Sequence, residues 1–301
     1  MKEQSNEIRR KGVVSFFWRS VIVAMLTMYV CTIFLMAQSG GITAKDAKAK
    51  EALAVAHKAL GGADKIDDIK SFIISGTETR AVFTSMDQGP MTKTGSATNE
   101  FEIRVLLPDK IFQFEKASPL PGMSARTSYS IVSNGEFINL SIFDPPIPGM
   151  PPAKPASKDQ IVINRQLQEM ARLLVGTLMK AGTMPLTISS GSSPDRFTIT
   201  TTEGGLCEVE FEAQGKYPSI VRYKVMETIF VRDPVTGNNT GETRMEERDE
   251  MMQFQEWAFV DGIMFPRVIT NKAETMDREM RIEKVQINPK LTLKDFEIPE
   301  K

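Results

Sequence analysis

The sequence predicts a mainly β (α+β) protein, in which one highly curved antiparallel sheet is covered by a helix and preceded by an N-terminal export or anchor helix. Two turn signals, Asn134-Gly135 and Asp261-Gly262, each stand between runs of apolar residues, which is the pattern of a β-hairpin. One long helical pattern interrupts the strands midway. Consecutive hairpins place successive strands side by side, so they favour one highly curved antiparallel sheet.

The N-terminal segment has the charge pattern of an export signal. Basic residues stand before an almost unbroken apolar run at 21–37, and they are Lys2, Arg9, Arg10, Lys11 and Arg19. The run of roughly 17 residues is at the lower edge of a membrane span and longer than a typical signal core. We expect residues 1–38 to be a signal peptide cleaved after Ala37 or an uncleaved anchor that contacts the membrane through residues 21–37. Residues 39–301 would then form one domain in the periplasm or elsewhere in the cell envelope.

Composition argues against a nucleic-acid partner and against an intramolecular disulfide. The formal net charge of −1 argues against a nucleic-acid partner, which would require a clustered basic face. Of the two cysteines, Cys31 lies in the apolar run, so only Cys207 remains in the expected domain and no intramolecular disulfide can form. Cys207 alternates with Val209 and Phe211, which predicts a buried thiol. The 18 methionines fit either an ordinary core or a cavity that adapts to apolar ligands.

The expected domain begins with helices. Residues 43–60 have a helical pattern with Thr43 as the predicted N-cap, and the glycine pair Gly61-Gly62 ends it. A short helical turn is expected at 64–69.

Alternating apolar residues then predict about ten strands. The clearest strand has apolar side chains at every second position, at Phe101, Ile103, Val105 and Leu107. Further strands are expected at 128–132, 137–143, 197–199, 207–211, 221–231, 254–260, 263–269 and 278–287. The last of these loses its alternation between Ile282 and Val285, which predicts a β-bulge.

A proline-rich loop and a long helix interrupt the strands. Residues 144–156 contain six prolines and cannot join a sheet ladder, so they must run over the surface. Residues 159–180 form a helical pattern whose apolar stripe is Ile163, Leu167, Met170, Leu174 and Leu178. We expect this helix to cover the concave face of the sheet.

The chain lacks the residue sets of common enzymes. His57 is the single histidine, and Cys207 is the single cysteine of the expected domain. The sequence therefore predicts no Ser-His-Asp or Cys-His set and no zinc cluster. No phosphate-binding glycine loop is present either, and we expect no cofactor and no metal. The acidic run at 246–250 lies on a predicted strand, where neighbours point to opposite faces, so it predicts a solvated strand.

Short motifs near both ends of the domain resemble those of a known family. They are Ala59-Leu60-Gly61-Gly62-Ala63-Asp64-Lys65-Ile66, Ile69-Lys70-Ser71-Phe72 with Gly76, Val260-Asp261-Gly262, Phe265-Pro266, and 291–299 with Phe296. The sequence is similar here to outer-membrane lipoprotein-sorting-like proteins of the LolA/LolB-like carrier superfamily. This resemblance implies an incomplete antiparallel β-barrel with helices on its open side and a hydrophobic cavity for acyl chains.

Three functions follow as hypotheses. The first is an extracytoplasmic carrier or binding protein for a lipid or a lipoprotein acyl chain, which would not be an enzyme. Its expected cavity lining is Phe101, Ile103, Val105, Leu167, Met170 and Leu174, with Ile147 and Met150 at the lip. The second is a membrane-anchored periplasmic interaction module without a ligand. The third is a carboxylate-dependent hydrolase, which would need a pair of acids converging in a cleft.

Overall fold

The structure is a computed structural model that describes residues 41–84, 92–117, 124–145, 157–212, 216–232, 239–273 and 276–298. The expected export segment and most of the proline-rich loop, with Ile147 and Met150, lie outside these ranges. None of the helices in the described ranges is long and apolar enough to cross a membrane.

Thirteen strands of the described chain form one sheet. They are β1 Ile42–Ala44, β2 Ser71–Thr84, β3 Thr92–Leu106, β4 Lys110–Ala117, β5 Ala125–Ser133, β6 Glu136–Asp144, β7 Leu186–Ser190, β8 Arg196–Thr201, β9 Gly204–Phe211, β10 Pro218–Arg232, β11 Asn239–Val260, β12 Ile263–Ala273 and β13 Met276–Ile287. Their order is β1-β7-β8-β9-β10-β11-β12-β13-β2-β3-β4-β5-β6. Because β1 and β6 remain as edges, the curved sheet is not closed, and the predicted fold class is confirmed.

The strand pairing follows the hairpin signals. Asn134 and Gly135 have φ of 53° and 72°, and Asp261 and Gly262 have φ of 49° and 84°, so both turns use the left-handed conformations that tight hairpins require. The predicted bulge is confirmed as a register shift between Ile282 and Lys284, where β13 pairs with β2. One pairing differs from expectation, because β1 runs parallel to β7.

Three α-helices accompany the sheet within the described residues. They are α1 Ala47–Leu60, α2 Ala63–Asp67 and α3 Gln160–Leu178, and a 3-10 helix follows at Leu293–Phe296. The predicted start of α1 was wrong. Thr43 lies in β1, and the Asp46 side chain caps the helix by accepting from the Ala49 amide at 2.9 Å. Asp46 also accepts from the Ser190 amide at 2.8 Å, which fixes α1 to β7.

Helix α3 covers the open side of the sheet. It is capped by Asp159, whose carboxylate accepts from the Ile161 amide at 2.9 Å, and it ends where Met179 takes a left-handed conformation. The helix contacts β9, β10, β11 and β12 on one arm of the sheet and β6 at the far edge. Gly176 permits this close approach, because a Cβ atom there would lie 2.0 Å from the Phe254 ring.

The two faces of the sheet have separate cores. We call the face toward α3 the inner face, and it carries the main apolar core, which includes Phe72, Ile74 and Val105. A smaller cluster on the opposite, outer face is built by Phe112, Ile131 and Phe296, and the last of these comes from the 3-10 helix. The C-terminal segment therefore seals the outer face and leaves the inner face to α3.

Candidate functional site

A cavity of about 260 Å³ lies between α3 and the inner face, and we call it the inner cavity. Its apolar lining comes from strands and helix alike: Ile103, Val105, Ile111, Met170, Leu173, Val225, Met252 and Met280. Its polar lining is Gln113, Arg165, Glu169, Arg172, Tyr223, Glu250, Asn271 and Arg278. The covering helix therefore leaves a space with both an apolar and a charged wall.

A larger cavity of about 760 Å³ lies where β9 and β10 separate, and we call it the fork cavity. Strand β10 pairs with β9 only from Pro218 to Arg222, whereas its pairing with β11 continues to Arg232. The residues beyond the last pair, among them Leu206 and Cys207 on β9 and Tyr223 on β10, line the opening. Tyr223 and Glu250 line both cavities, so the inner cavity and the fork cavity adjoin at these side chains.

A third space of about 200 Å³, the side cavity, lies toward β5 and β6. Its lining includes Phe101, Ser128, Ser130 and Asn139. It shares Ile103, Gln113 and Arg278 with the inner cavity. The three spaces therefore lie side by side, and neighbouring spaces share lining residues.

The structure divides the residues expected at the site. Ile103, Val105 and Met170 line the inner cavity, and Phe101 lines the side cavity. Leu174 is fully buried in the main core, and Leu167 is a partly buried side chain that packs against that core. The expected lip residues lie outside the described ranges. The structure therefore brings four of the expected residues to the cavities and two to the packed core around them.

Charged residues occupy the inner face beside the apolar ones. Glu78 is fully buried, and its carboxylate accepts from Arg80 Nε and pairs with Arg278 Nη2 at 2.5 Å. Arg80 also bonds Glu115, which in turn accepts from Asn99 Nδ2 at 3.0 Å. Arg126 reaches the same Glu115 carboxylate at 3.1 Å. We call this set, Glu78, Arg80, Asn99, Glu115, Arg126 and Arg278, the polar wall.

Strand register explains why the polar wall faces inward. Glu78 is paired with Asn99 on β3 and with Met280 on β13, and Arg80 is paired with Arg278. Paired residues of neighbouring strands point to the same face, so all of these side chains share the side of Phe72 and Ile74. Each carboxylate of the wall contacts at least two other wall side chains, so the wall forms a structural ion-pair network.

Arg172 on α3 lies at the junction of the two main cavities. It is only 5% exposed, and its guanidinium stacks over the Tyr223 ring at 4.4 Å from the centroid. It donates to the Leu206 carbonyl at 3.3 Å and to Gln168 Oε1 at 3.5 Å. Burial lowers the pKa of Arg172, because a charged group loses water there.

Burial also shifts the other titratable groups at this junction. It raises the pKa of Tyr223, and the neighbouring Glu250 carboxylate raises it further. It raises the pKa of Glu169 as well, against the opposing charge of Arg165. The junction is therefore a region of low water access in which charge is costly.

The residues most often used in catalysis have structural roles here. His57 Nε2 donates to the Met179 carbonyl at 2.9 Å, which ties the end of α1 to the end of α3. Cys207 is buried, and burial raises the pKa of its thiol to about 12, so it is not a reactive thiolate. In the part of the chain that the structure describes, no three His, Cys, Asp or Glu side chains converge as a metal site.

The charged residues of the inner face were not among the predicted site residues, although the sequence contains a signal for them. Phe72, Ile74, Gly76, Glu78 and Arg80 occupy every second position of β2, so strand periodicity alone places the last two on the face of the first two. Arg172 had no such signal. It lies off the predicted apolar stripe, and it is buried because the whole second half of α3, from Met170 to Leu178, is enclosed by the sheet.

Two solved structures are similar to this chain. A LolA superfamily protein from Nitrosomonas europaea matches over 83% of this chain and 97% of its own, with 9% sequence identity and a TM-score of 0.44. A DUF1329 family protein from Desulfovibrio piger matches over the same shares, with 8% identity and a TM-score of 0.39. No family model matches the sequence, and no curated protein matches it. At these TM-scores the two likenesses say nothing about a ligand, and the function depends on the geometry of this chain.

Proposed function

We propose that residues 39–301 bind a lipid or a lipoprotein acyl chain in the inner cavity beneath α3 and the cavities that adjoin it. This binding would take place outside the cytoplasm and without covalent chemistry. One observation carries the proposal. The inner cavity stays open between Ile103, Val105 and Met170, although the core around it is packed with fully buried side chains such as Leu174. Native interiors have few voids larger than a water molecule, so a space of this size under a covering helix indicates a place for a guest.

The energetics of chain burial support this function. Each methylene moved from water to an apolar site gains about 0.8 kcal/mol. Roughly ten methylenes would therefore give micromolar affinity after the cost of ordering the ligand. Ligand pockets in proteins are commonly about 300–1,000 Å³. The inner cavity of about 260 Å³ lies just below that range, and the adjoining fork cavity of about 760 Å³ lies within it.

The proposed entry route is the fork between β9 and β10. Beyond the pair of Arg222 with Glu208, the ladder between β9 and β10 has ended, so moving the two strands further apart there breaks no pairing between them. The fork cavity adjoins the inner cavity at Tyr223 and Glu250, so a chain that enters at the fork would pass these side chains to reach the inner cavity. The remaining parts of the proposal are that residues 1–38 export or anchor the protein and that the 144–156 loop and the covering helix at 159–180 belong to the same binding domain.

Bound lipid tests the proposal directly. The exported protein would be purified without detergent and extracted with organic solvent, and the extract would be analysed by mass spectrometry against the protein amount. The wild type should yield lipid near one equivalent. Ile103→Trp, which places an indole in the inner cavity, should yield several-fold less, whereas Val55→Trp on the exposed side of α1 should match the wild type.

Two results would contradict the proposal. The first is a wild-type protein that carries no lipid and also fails to bind an added ten-carbon chain. Such a protein would instead fit the interaction module without a ligand. The second is equal lipid from wild type and a folded Ile103→Trp variant, because lipid would then lie elsewhere.

A further inference from the structure

We propose that Arg172 binds the anionic headgroup of the amphiphile, so that the ligand is a lipid ending in a carboxylate or a phosphate. This inference rests on the proposed function, because it names the polar end of the ligand whose chain would occupy the inner cavity. Glu78 and Arg172 are both buried charges, but they differ in their partners. Glu78 contacts two arginines, whereas Arg172 forms no ion pair with a described carboxylate.

The Arg172 guanidinium has unused hydrogen-bonding capacity. A guanidinium offers five N–H donors. Arg172 uses Nε toward the Leu206 carbonyl at 3.3 Å and Nη2 toward Gln168 at 3.5 Å, and both distances are long for an N–H···O bond. Its Nη1 donates to none of the described residues. The donors that remain suit an acceptor that is not part of the described chain.

Arg172 also has no ion-pair partner among the described residues, and the Glu169 and Glu250 carboxylates act on its charge from beyond ion-pair distance. Within the described ranges, no carboxylate forms an ion pair with its guanidinium, since Glu169 pairs with Arg165 at 3.7 Å and Glu250 faces Tyr223. Glu78, by contrast, is held by two arginines. A buried charge that lacks a partner is costly, so folds usually supply one. The missing negative charge is what an anionic ligand would bring.

The position of Arg172 fits a headgroup site. It lines the inner cavity, stacks on Tyr223 and bonds the Leu206 carbonyl, and the last two residues also line the fork cavity. A chain lying in the inner cavity would therefore leave its polar end at this guanidinium, beside the opening. Among the arginines that line the inner cavity, Arg172 is the one that forms no ion pair with a described carboxylate, since Arg165 pairs with Glu169 and Arg278 pairs with Glu78. Arginine can bind a carboxylate or a phosphate through two parallel hydrogen bonds.

A headgroup series at fixed chain length tests the inference. Calorimetric titration would compare decanoate, decyl phosphate, decanol and decyltrimethylammonium with the delipidated exported protein, in the form in which the host processes it. The two anions should bind about 10- to 100-fold more tightly than decanol, as expected for charge-assisted hydrogen bonds in a site of low water access. The cation should bind most weakly. The order of decanoate and decyl phosphate would identify which anionic group the site prefers.

Variants assign the preference to one residue. Arg172→Met should remove the advantage of the anions and leave decanol binding unchanged, whereas Arg281→Met, an exposed arginine of β13, should keep that advantage. An anion preference that survives in folded Arg172→Met would overturn the assignment.

The wild-type series separates the two proposals without any variant. Equal binding of decanol and the anions, or tightest binding of the cation, would overturn the headgroup inference and leave lipid binding intact. Failure of all four ligands to bind would overturn the proposed function itself.

Discussion

The inner face of the sheet contains two regions that differ in chemistry but share the same strands. Phe72 and Ile74 on β2 face Val105 and Ile103 on β3, and we call these four residues the apolar floor. Further along the same two strands, Glu78 on β2 is paired with Asn99 on β3, and both residues belong to the polar wall. The floor is buried and the wall is partly buried, and the two regions are held by different forces. The floor gains free energy by removing apolar surface from water, whereas the wall must replace lost hydration with ion pairs and hydrogen bonds.

The comparison shows what each region contributes to a binding site. The floor presents Ile103 and Val105 to the inner cavity, and these apolar side chains suit a hydrocarbon chain whatever its headgroup. The wall is charged but internally paired, so it shapes the cavity and offers little to a ligand. Arg172 belongs to neither region, because it comes from α3 and is not paired with a wall carboxylate. We therefore expect Arg172 on α3 to select the headgroup. We expect the apolar floor of the sheet to accept acyl chains of different lengths.

The largest effect on stability should come from removing Glu78, the central carboxylate of the polar wall. Glu78→Ala would remove the fully buried carboxylate that the half-buried Arg80 and Arg278 share, and it would leave Arg80 with Glu115 alone. We expect a loss of about 4 kcal/mol in the free energy of unfolding, in the range for breaking a buried ion pair. Urea denaturation measures it. The matched control is Glu100→Ala on the exposed side of β3, which should change stability by less than about 0.5 kcal/mol. A Glu78→Ala cost as small as that of the control would mean that the wall is solvated.

A smaller loss in the free energy of unfolding should follow when a side chain of the main core is shortened. Leu174→Ala removes a fully buried side chain that packs near Met170 and Gly182, and we expect it to cost about 3 kcal/mol. Because Leu174 does not line the inner cavity, the lipid yield of the folded variant should match the wild type. A variant of normal stability that lost its lipid would show instead that Leu174 contacts the ligand.

The smallest effect concerns a carboxylate outside both regions. Hydrogen bonds from the Ser190 and Ala49 amides lower the pKa of the exposed Asp46 from 3.8 to about 2. A folded-state pKa below the unfolded one contributes stability that is present above about pH 4 and is lost as the pH falls toward 2. Wild type should therefore exceed Asp46→Asn in urea midpoint at pH 6, and the difference should shrink between pH 4 and pH 2. A difference independent of pH would assign the role of Asp46 to its shape alone.

The fold was largely predictable because its signals are local. Asn134-Gly135 and Asp261-Gly262 fix tight hairpins by their own backbone preferences, and the stripe from Ile163 to Leu178 needs only helical geometry. The predicted N-cap at Thr43 was wrong because β1 pairs with β7, more than a hundred residues away, and takes that residue into the sheet. Tertiary pairing overrode a local preference there.

The candidate site was less predictable because its polar part depends on distant partners. Glu78 is paired with Arg278, and the two are 200 residues apart in the sequence. Charged residues on a strand are usually assigned to solvent, so a purely apolar lining was the simpler expectation. The apolar residues Ile103 and Val105 did follow from alternation. Arg172 required knowledge that α3 is enclosed on all sides in its second half, which no pattern within the helix reveals.

Methyl NMR of the exported protein with labelled isoleucine and methionine tests the central claim most directly. Addition of decanoate should shift the Ile103 δ1 and Met170 ε resonances, which line the inner cavity, and leave the Ile131 δ1 resonance of the outer cluster unchanged. Ile103→Val and Met170→Leu would assign the two signals. Shifts confined to Ile131, or no shift at a decanoate concentration that saturates binding, would contradict an acyl-chain site beneath α3.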